Sequence, residues 1–434
     1  MIVTRRQCTR GICVVLLLCV GASAGLGATE SRPPGPIQAA RAPGVIGKLD
    51  PEAATREYLA RFTPEQKKRS DDYFEGGYWL QLWRFLFGAA VSIALLASRW
   101  SVRMRDRAER LTRFKPLQTG IYWAQYLLLT AVISFPLTLY AGFIREHQYG
   151  LATQNLSGWL GDRAKGLLVM LILGGLATIL LYGVVRRLGR TWWIWGSVVS
   201  VILLIFGVLI SPVLIFPLFN KYTRVSDETI RAPILRMARA NGIKAQEIYQ
   251  VDASRQTTRV SANVSGVFGT ERITLNDNLL KRASLPEIEA VMGHEMGHYL
   301  MNHVYRLIGF FGLIVAGGFA LLNWAFGWAL GRWGSRWSVR GIGDVAGMPL
   351  AVLIFSTYAF LFTPLKNTFI RTTEYEADLF GLNASRQPDG MAEAALKLSE
   401  YRKLNPTPLE EWLFFDHPSG RVRIYTAMRW KAEN

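Results

Sequence analysis

The residues best equipped for chemistry lie in His294-Glu295-Met296-Gly297-His298. On a helix, positions i and i+4 share one face, so both imidazoles can reach a single metal ion. Zinc takes nitrogen ligands of this kind, and a catalytic zinc keeps a fourth position for water. Glu295, beside the first histidine, is then placed to take a proton from that water as it attacks a carbonyl. The plainer alternative is a pair of helical histidines that only fill space. With five histidines in 434 residues, such a motif rarely arises by chance. Four of the five (His294, His298, His303, His417) fall near candidate site segments. The third ligand has to be sought among carboxylates. Cys8, Cys13 and Cys19 all precede residue 20, so no thiolate site or disulfide framework exists beyond them. The best candidate is Glu374, in Arg371-Thr372-Thr373-Glu374-Tyr375-Glu376-Ala377-Asp378. Asp378 shares its helix face and is expected to orient a ligand or to stabilise developing charge. Glu376 lies about 160° round the helix and is expected to face solvent. Standing alone, this segment would read as an ordinary charged helix start.

Those side chains need elements to hold them. Ser284-Leu285-Pro286-Glu287 forms a capping box with an early proline, so the motif helix is expected to begin there. Ahead of it, 226–241 reads as an amphipathic helix ending near Gly242. Glu247 to Val251 and Arg272 to Leu275 read as short strands, with Arg259 to Gly266 as an extended segment between them. Lys281, Arg282, Glu287 and Glu289 lie close before His294, and such charges are expensive at bilayer depth. The motif helix is therefore predicted at or above a membrane surface, joined to the next apolar block through His303, Tyr305 and Arg306. The stretch 371–434 is polar and reads as mainly helical.

Half of the residues are apolar and only 19% are charged, which excludes a disordered chain. The apolar residues gather in six blocks: 79–98, 119–143, 166–185, 192–219, 307–331 and 349–370. All but the fourth are close to the ~20 residues needed to cross the hydrocarbon core. Tyr78, Trp79, Trp83, Trp100, Trp192, Trp193 and Trp195 sit near block ends, as an interfacial belt requires. Pro136, Pro212 and Pro217 predict kinks, and the fourth block is too long for one plain span. The fold class is thus mainly α, a polytopic α-helical membrane protein with about six transmembrane helices. Residues 1–28 read as an export signal, or, if uncleaved, as an extra first membrane helix: Arg5, Arg6 and Arg10, then an apolar stretch, then Ala22-Ser23-Ala24. A polar segment follows at 29–77, then a four-helix membrane region at 78–219. The remainder, 220–434, reads as a metallopeptidase domain containing the spans 307–331 and 349–370.

The formal charge is +18. Much of it lies in three short loops: Arg99 to Lys115, Arg186 to Arg190 and Arg332 to Arg340. Loops of this kind stay cytoplasmic and set orientation, and no nucleic-acid recognition motif accompanies them. Nucleic acid is therefore not an expected partner. The charge count places the zinc region on the periplasmic side of a bacterial inner membrane, in line with the export signal.

At this point the sequence resembles the CAAX prenyl protease 1 family, the type I CAAX prenyl endopeptidases. The resemblance is carried by Glu146-His147-Gln148-Tyr149-Gly150 through Gln154-Asn155-Leu156, and by Ile210-Ser211-Pro212 through Asn220-Lys221. His294 to His298, Glu374 to Asp378 and His417-Pro418-Ser419 follow in the family's order. It implies a gluzincin-like domain with one zinc ion per chain, held by His294, His298 and Glu374, and Glu295 as catalytic base. It implies a supporting or proton-donating role for Asp378 and a substrate or transition-state contact for His417. Substrate backbone is expected along Ser261, Ala262 and Asn263, where the family more usually has Asn-Ala-Tyr; this departure bears on substrate preference. A large chamber among the membrane helices is implied in the same way. The family's eukaryotic members present the zinc region to the cytosol, against the charge count here. The expected activity is hydrolysis of peptide bonds after a prenylated cysteine, the partners being a peptide or protein substrate, lipidated or not, and the bilayer. The rival is a quality-control protease that cuts unmodified misfolded or exported proteins.

Overall fold

The computed structural model describes residues 49–265 and 271–434. The export signal expected at 1–28 and Gly266 lie outside the described residues. Helix α1 (Pro51–Ala60) is capped by Asp50, and α2 (Pro64–Ala97) by a reciprocal Thr63–Gln66 capping box. The polar approach and the first apolar block are therefore one 34-residue helix. Gly76 inside it makes room for the Arg145 guanidinium, which a Cβ would meet at 3.2 Å. Helix α3 (Trp100–Leu111) carries much of the first basic segment. Three long apolar helices follow: α4 (Lys115–Gln148), α5 (Leu156–Arg187) and α6 (Gly189–Leu218).

The expected kinks have local causes. Beyond Pro136, which offers no N–H, α4 widens into a π turn over Tyr140–Ile144. Helix α6 does the same at Ser211–Ile215, around Pro212, and tightens to a 3₁₀ turn at Phe216–Leu218, around Pro217. A third π turn, Met170–Gly174 in α5, has no proline to announce it. There the Trp123 indole donates to the Met170 carbonyl at 3.1 Å, a tertiary contact that sequence patterning does not register.

A four-stranded sheet follows the fourth span, interleaved with α7 (Glu228–Ala240). Its strands are β1 (Tyr222–Arg224), β2 (Ile248–Val251), β3 (Ala262–Ser265) and β4 (Arg272–Asn276), in the order β1-β2-β4-β3. Strands β2 and β4 are parallel, the other pairs antiparallel, and β3 is an edge. The chain continues through α8 (Asp277–Arg282), α9 (Leu285–Leu300) and the 35-residue α10 (His303–Trp337). Next come α11 (Met348–Leu361) and α12 (Thr363–Ser385), then α13 (Pro388–Leu398), α14 (Pro408–Phe414) and α15 (Gly420–Glu433). The sixth apolar block is not one straight helix. The segment ending in α11 and the whole of α12 meet at a 52° bend at Phe362, where Pro364 cannot donate to the helical ladder. Among the described residues, five helices are long and apolar enough to cross a membrane, or six with this bent pair. Large apolar side chains such as Val132, Val213 and Leu313 point outward from them, as lipid contact requires.

Two cores hold the half of the chain that carries the sheet and α9. Ile234, Ile248, Ile273, Leu275, Ile288, Met292 and Met296 are fully buried between the sheet, α7 and α9. Leu382, Ala392, Ala395, Ile424 and Met428 join α12, α13 and α15. Helix α9 is thus clamped on both sides, one face apolar against the sheet and the other free to carry polar groups.

Candidate metal centre

Helix α9 starts as expected, with Ser284 and Glu287 satisfying each other's backbone donors. Glu287 also pairs with Lys397 of α13 at 2.7 Å, anchoring that end. The face of α9 toward α12 is made small by Gly293 and Gly297. A Cβ on Gly293 would lie 2.8 Å from the Gly381 carbonyl oxygen, and one on Gly381 would lie 2.7 Å from the His294 nitrogen. The two helices therefore touch backbone to backbone, right beside His294 and two turns along α12 from Glu374.

That contact brings the expected residues together. Ligand atoms of His294, His298 and Glu374 all lie within 4.8 Å of one another. The two Nε2 atoms are 3.1 Å apart, and each lies 3.4 Å from one oxygen of Glu374. Glu374 Oε2 is buried without a hydrogen bond, although His294 and His417 nitrogens stand at 3.4 and 3.2 Å. Converging lone pairs on two imidazoles and a carboxylate suit a divalent metal and little else. The donor set therefore fits a bound cation.

Each imidazole is held from behind. Asp378, buried, lies 2.8 Å from His294 Nδ1, and its other oxygen accepts from Arg423 Nε at 2.8 Å. His303, fully buried, lies 2.9 Å from His298 Nδ1, and its Nε2 is 3.1 Å from Glu376. Glu376 in turn pairs with Arg306. The expectation that Glu376 faces solvent is thus corrected: it does lie off the ligand face, but α10 packs there and supplies two partners. Helical spacing gives the angle of a side chain, not what stands opposite it.

His417 lies 3.2 Å from Glu374 and holds Asp416 through Nδ1 at 2.7 Å. Burial pushes its pKa below the ordinary histidine value, against the pull of Asp416. For His294, burial lowers the pKa, but Asp378 and Glu374 outweigh it and raise it to about 9. Burial raises the Glu295 carboxyl, with His294 and His298 opposing. A group poised in this way is a better base near neutrality than an ordinary carboxylate.

His294, Glu295, Glu374 and His417 line one cavity of about 200 Å³, with Ser261 and Ala262 on its wall. Asn263, the third residue of that expected segment, is exposed and off the lining, since alternate residues of a strand face opposite ways. Arg423, Asp416 and Arg402 also belong here and were not singled out by sequence. Only proximity to His417 could have drawn attention to them.

Residues 224–431 match the family model described as peptidase family M48. Residues 51–221 match the model described as CAAX prenyl protease N-terminal, five membrane helices. An uncharacterized metalloprotease of Bacillus subtilis, YhfN, is 28% identical over 335 residues, 77% of this chain and 78% of that one. CAAX prenyl protease 1 of Saccharomyces cerevisiae is 26% identical over 320 residues, 70% of each chain. The crystal structure of S. mikatae Ste24p shares the fold, with a TM-score of 0.72 over 87% of this chain and 94% of that one, at 20% identity.

Proposed function

The chain belongs to peptidase family M48 as a membrane metallopeptidase of the CAAX prenyl protease kind, and from that premise we propose a zinc endopeptidase that cuts after a prenylated cysteine near a C-terminus. The observation that carries this reading is the convergence of His294, His298 and Glu374 beside Glu295 in a cavity walled by an edge strand. Zinc, when bound, polarises a carbonyl and makes water acidic enough to attack it.

The chain's own residues do the rest. Glu295 accepts the proton of the attacking water and passes it to the leaving amine. Asp378, steadied by Arg423, fixes His294 so that Nε2 faces the ligand cluster, a positioning role. His303 does the same for His298. His417, beside Glu374, is placed to hold the substrate carbonyl as charge develops. Strand β3 lends its open edge to an extended peptide, with Ser261 and Ala262 toward the cavity and Asn263 offering backbone alone.

The substrate is tested with a farnesylated CAAX-type peptide and zinc-loaded protein, mass spectrometry locating the cut. Loss of the last three residues, absent in Glu295→Gln, is the expected result. Equal cutting of the unprenylated peptide would favour the quality-control reading instead.

The site is further proposed to face the periplasm of a bacterial inner membrane. Contacts among the three basic loops support this: Arg99 donates to the Arg336 carbonyl at 3.2 Å, Arg186 to that of Gly343 at 3.0 Å, and Arg340 pairs with Glu109 at 2.7 Å. Their charges lie at one end, where the positive-inside rule wants them. Thiol labelling of intact cells tests this with cysteines at exposed Thr223 and Ser335. Labelling of position 335 and not 223 by an impermeant reagent would reverse the orientation.

A further inference from the structure

Four cationic side chains line the catalytic cavity: Arg282, Lys397, Arg402 and Arg423. Three have carboxylate partners. Arg282 pairs with Glu400 at 2.6 Å, Lys397 with Glu287 at 2.7 Å, and Arg423 with Asp378. Arg402 has neither a hydrogen bond nor an ion pair among the described residues. It also borders a second cavity, of about 370 Å³, whose other cations are engaged as well. There Arg259 pairs with Glu146 at 2.7 Å, and Arg145 donates to the Tyr73 carbonyl.

Arg402 is half-buried, so its guanidinium opens into the cavity and is free to take an anion that enters there, and a charged pair formed in such a recess is stronger than one at the open surface. Burial and, after it, the like charge of Arg423 push the Arg402 pKa down, while Asp416 and Glu374 pull it back from beyond hydrogen-bond distance, so no carboxylate of the chain touches the guanidinium. Its planar fork of donors matches a carboxylate in two parallel hydrogen bonds. Among the parts of a peptide, the one that always carries such a group is its C-terminus.

We propose that Arg402 binds the C-terminal carboxylate of the peptide being cut, so that the enzyme measures its cleavage from the chain end. The proposal rests on the peptide-hydrolysis reading above. Arg402 and Glu295 line the same small cavity, and an extended residue spans roughly 3.3–3.6 Å. A carboxylate held by Arg402 therefore lies a few residues beyond the bond presented to Glu295. Recognition of this kind favours cleavage that releases a short C-terminal fragment.

The test uses one fluorescent peptide, ending in farnesylated cysteine and three further residues, as free acid and as C-terminal amide. Binding is measured to zinc-loaded Glu295→Gln protein, with and without Arg402→Gln. The acid should bind roughly 10- to 100-fold tighter than the amide, and Arg402→Gln should erase that gap by weakening the acid alone. Equal binding of acid and amide by protein that keeps Arg402 overturns the proposal. So does an equal loss for both peptides in the variant, which would make Arg402 a general or structural contact. Arg402→Lys, which keeps the charge and loses the fork, should retain part of the preference, and it carries the comparison if Arg402→Gln misfolds. Cleavage by the enzyme with intact Glu295 is read separately. If neither peptide is cut, the hydrolase reading falls, while the acid–amide difference still decides the role of Arg402.

Discussion

Alanine at Gly381 should loosen the metal centre without altering any ligand. A Cβ there would sit 2.7 Å from the His294 nitrogen, 3.0 Å from its Cα and 3.1 Å from the Gly293 carbonyl carbon. All three neighbours are backbone, so no side chain can swing aside. Ordinary contact begins near 3.4 Å, so α9 and α12 have to part by about 0.7 Å. Metal–ligand distances tolerate only about 0.2 Å, and Glu374 sits two turns from the wedge. Overpacking of this kind stores about 1–3 kcal/mol, because the ligands converge only by recompressing the helices. If all of it is charged against metal binding, zinc affinity falls roughly 5- to 150-fold. Competition with a chromophoric chelator measures this in detergent-purified protein. Gly309→Ala in α10, where a Cβ meets nothing within 4 Å, is the matched control and should bind as the parent does. Zinc affinity within twofold of the parent for Gly381→Ala would refute the reasoning, since the close approach would then have no hold on the ligands.

Glu295→Gln should lower turnover by about 10²- to 10⁴-fold while zinc content stays at one per chain; retained turnover would remove Glu295 from the mechanism. Glu374→Ala should weaken zinc binding, and stripping zinc from the parent should lower its unfolding midpoint, since a ligand at 1,000 times its Kd contributes about 4 kcal/mol. No change in either would put the third ligand elsewhere. Because the metal-free His294 titrates near 9, zinc has to displace a proton below that pH. Affinity should therefore fall as pH drops from 9 toward 6, by up to about tenfold per unit, and a flat profile by calorimetry would contradict this. Asp344→Ala should destabilise the opposite end by about 1–3 kcal/mol in denaturant titrations, because Arg105, only 6% exposed and 2.7 Å from Asp344, loses its buried partner and keeps only the more exposed Asp106 at 2.8 Å. An unchanged midpoint would show that water reaches Arg105.

The candidate cluster was legible as two pairs, because helical periodicity alone puts His294 with His298 and Glu374 with Asp378 on one face. The spans were legible from their length, and β2, β3 and β4 from short runs bounded by turn residues, whereas the three-residue β1 (Tyr222–Arg224) was not, since it exists only by pairing with β2. What escaped was whatever depends on two distant segments meeting. The Gly293–Gly381 contact joins positions 88 apart, and neither glycine is distinctive in its own helix. Asp378 holding Arg423 and His298 meeting His303 are of the same sort, since a buried polar partner is known only once the opposing element is placed. The bend at Phe362 shows a subtler limit. The block 349–370 is apolar enough for one span, and Pro364 is compatible with a continuous helix or a broken one; packing decides.

The candidate ligands lie on either side of a membrane hairpin. His298 ends the helix before α10, and Glu374 follows α11, so two bilayer segments separate them in the chain. The centre can close only after both segments have been threaded and have returned to the same face. A nascent chain emerging from the ribosome carries the histidines long before it carries their carboxylate. Assembly of the candidate centre is thereby deferred until the hairpin is complete. His298 and Glu374, holding one ion between them, would clasp the finished hairpin, so that losing the ion would loosen an integrated protein as well as silence an enzyme.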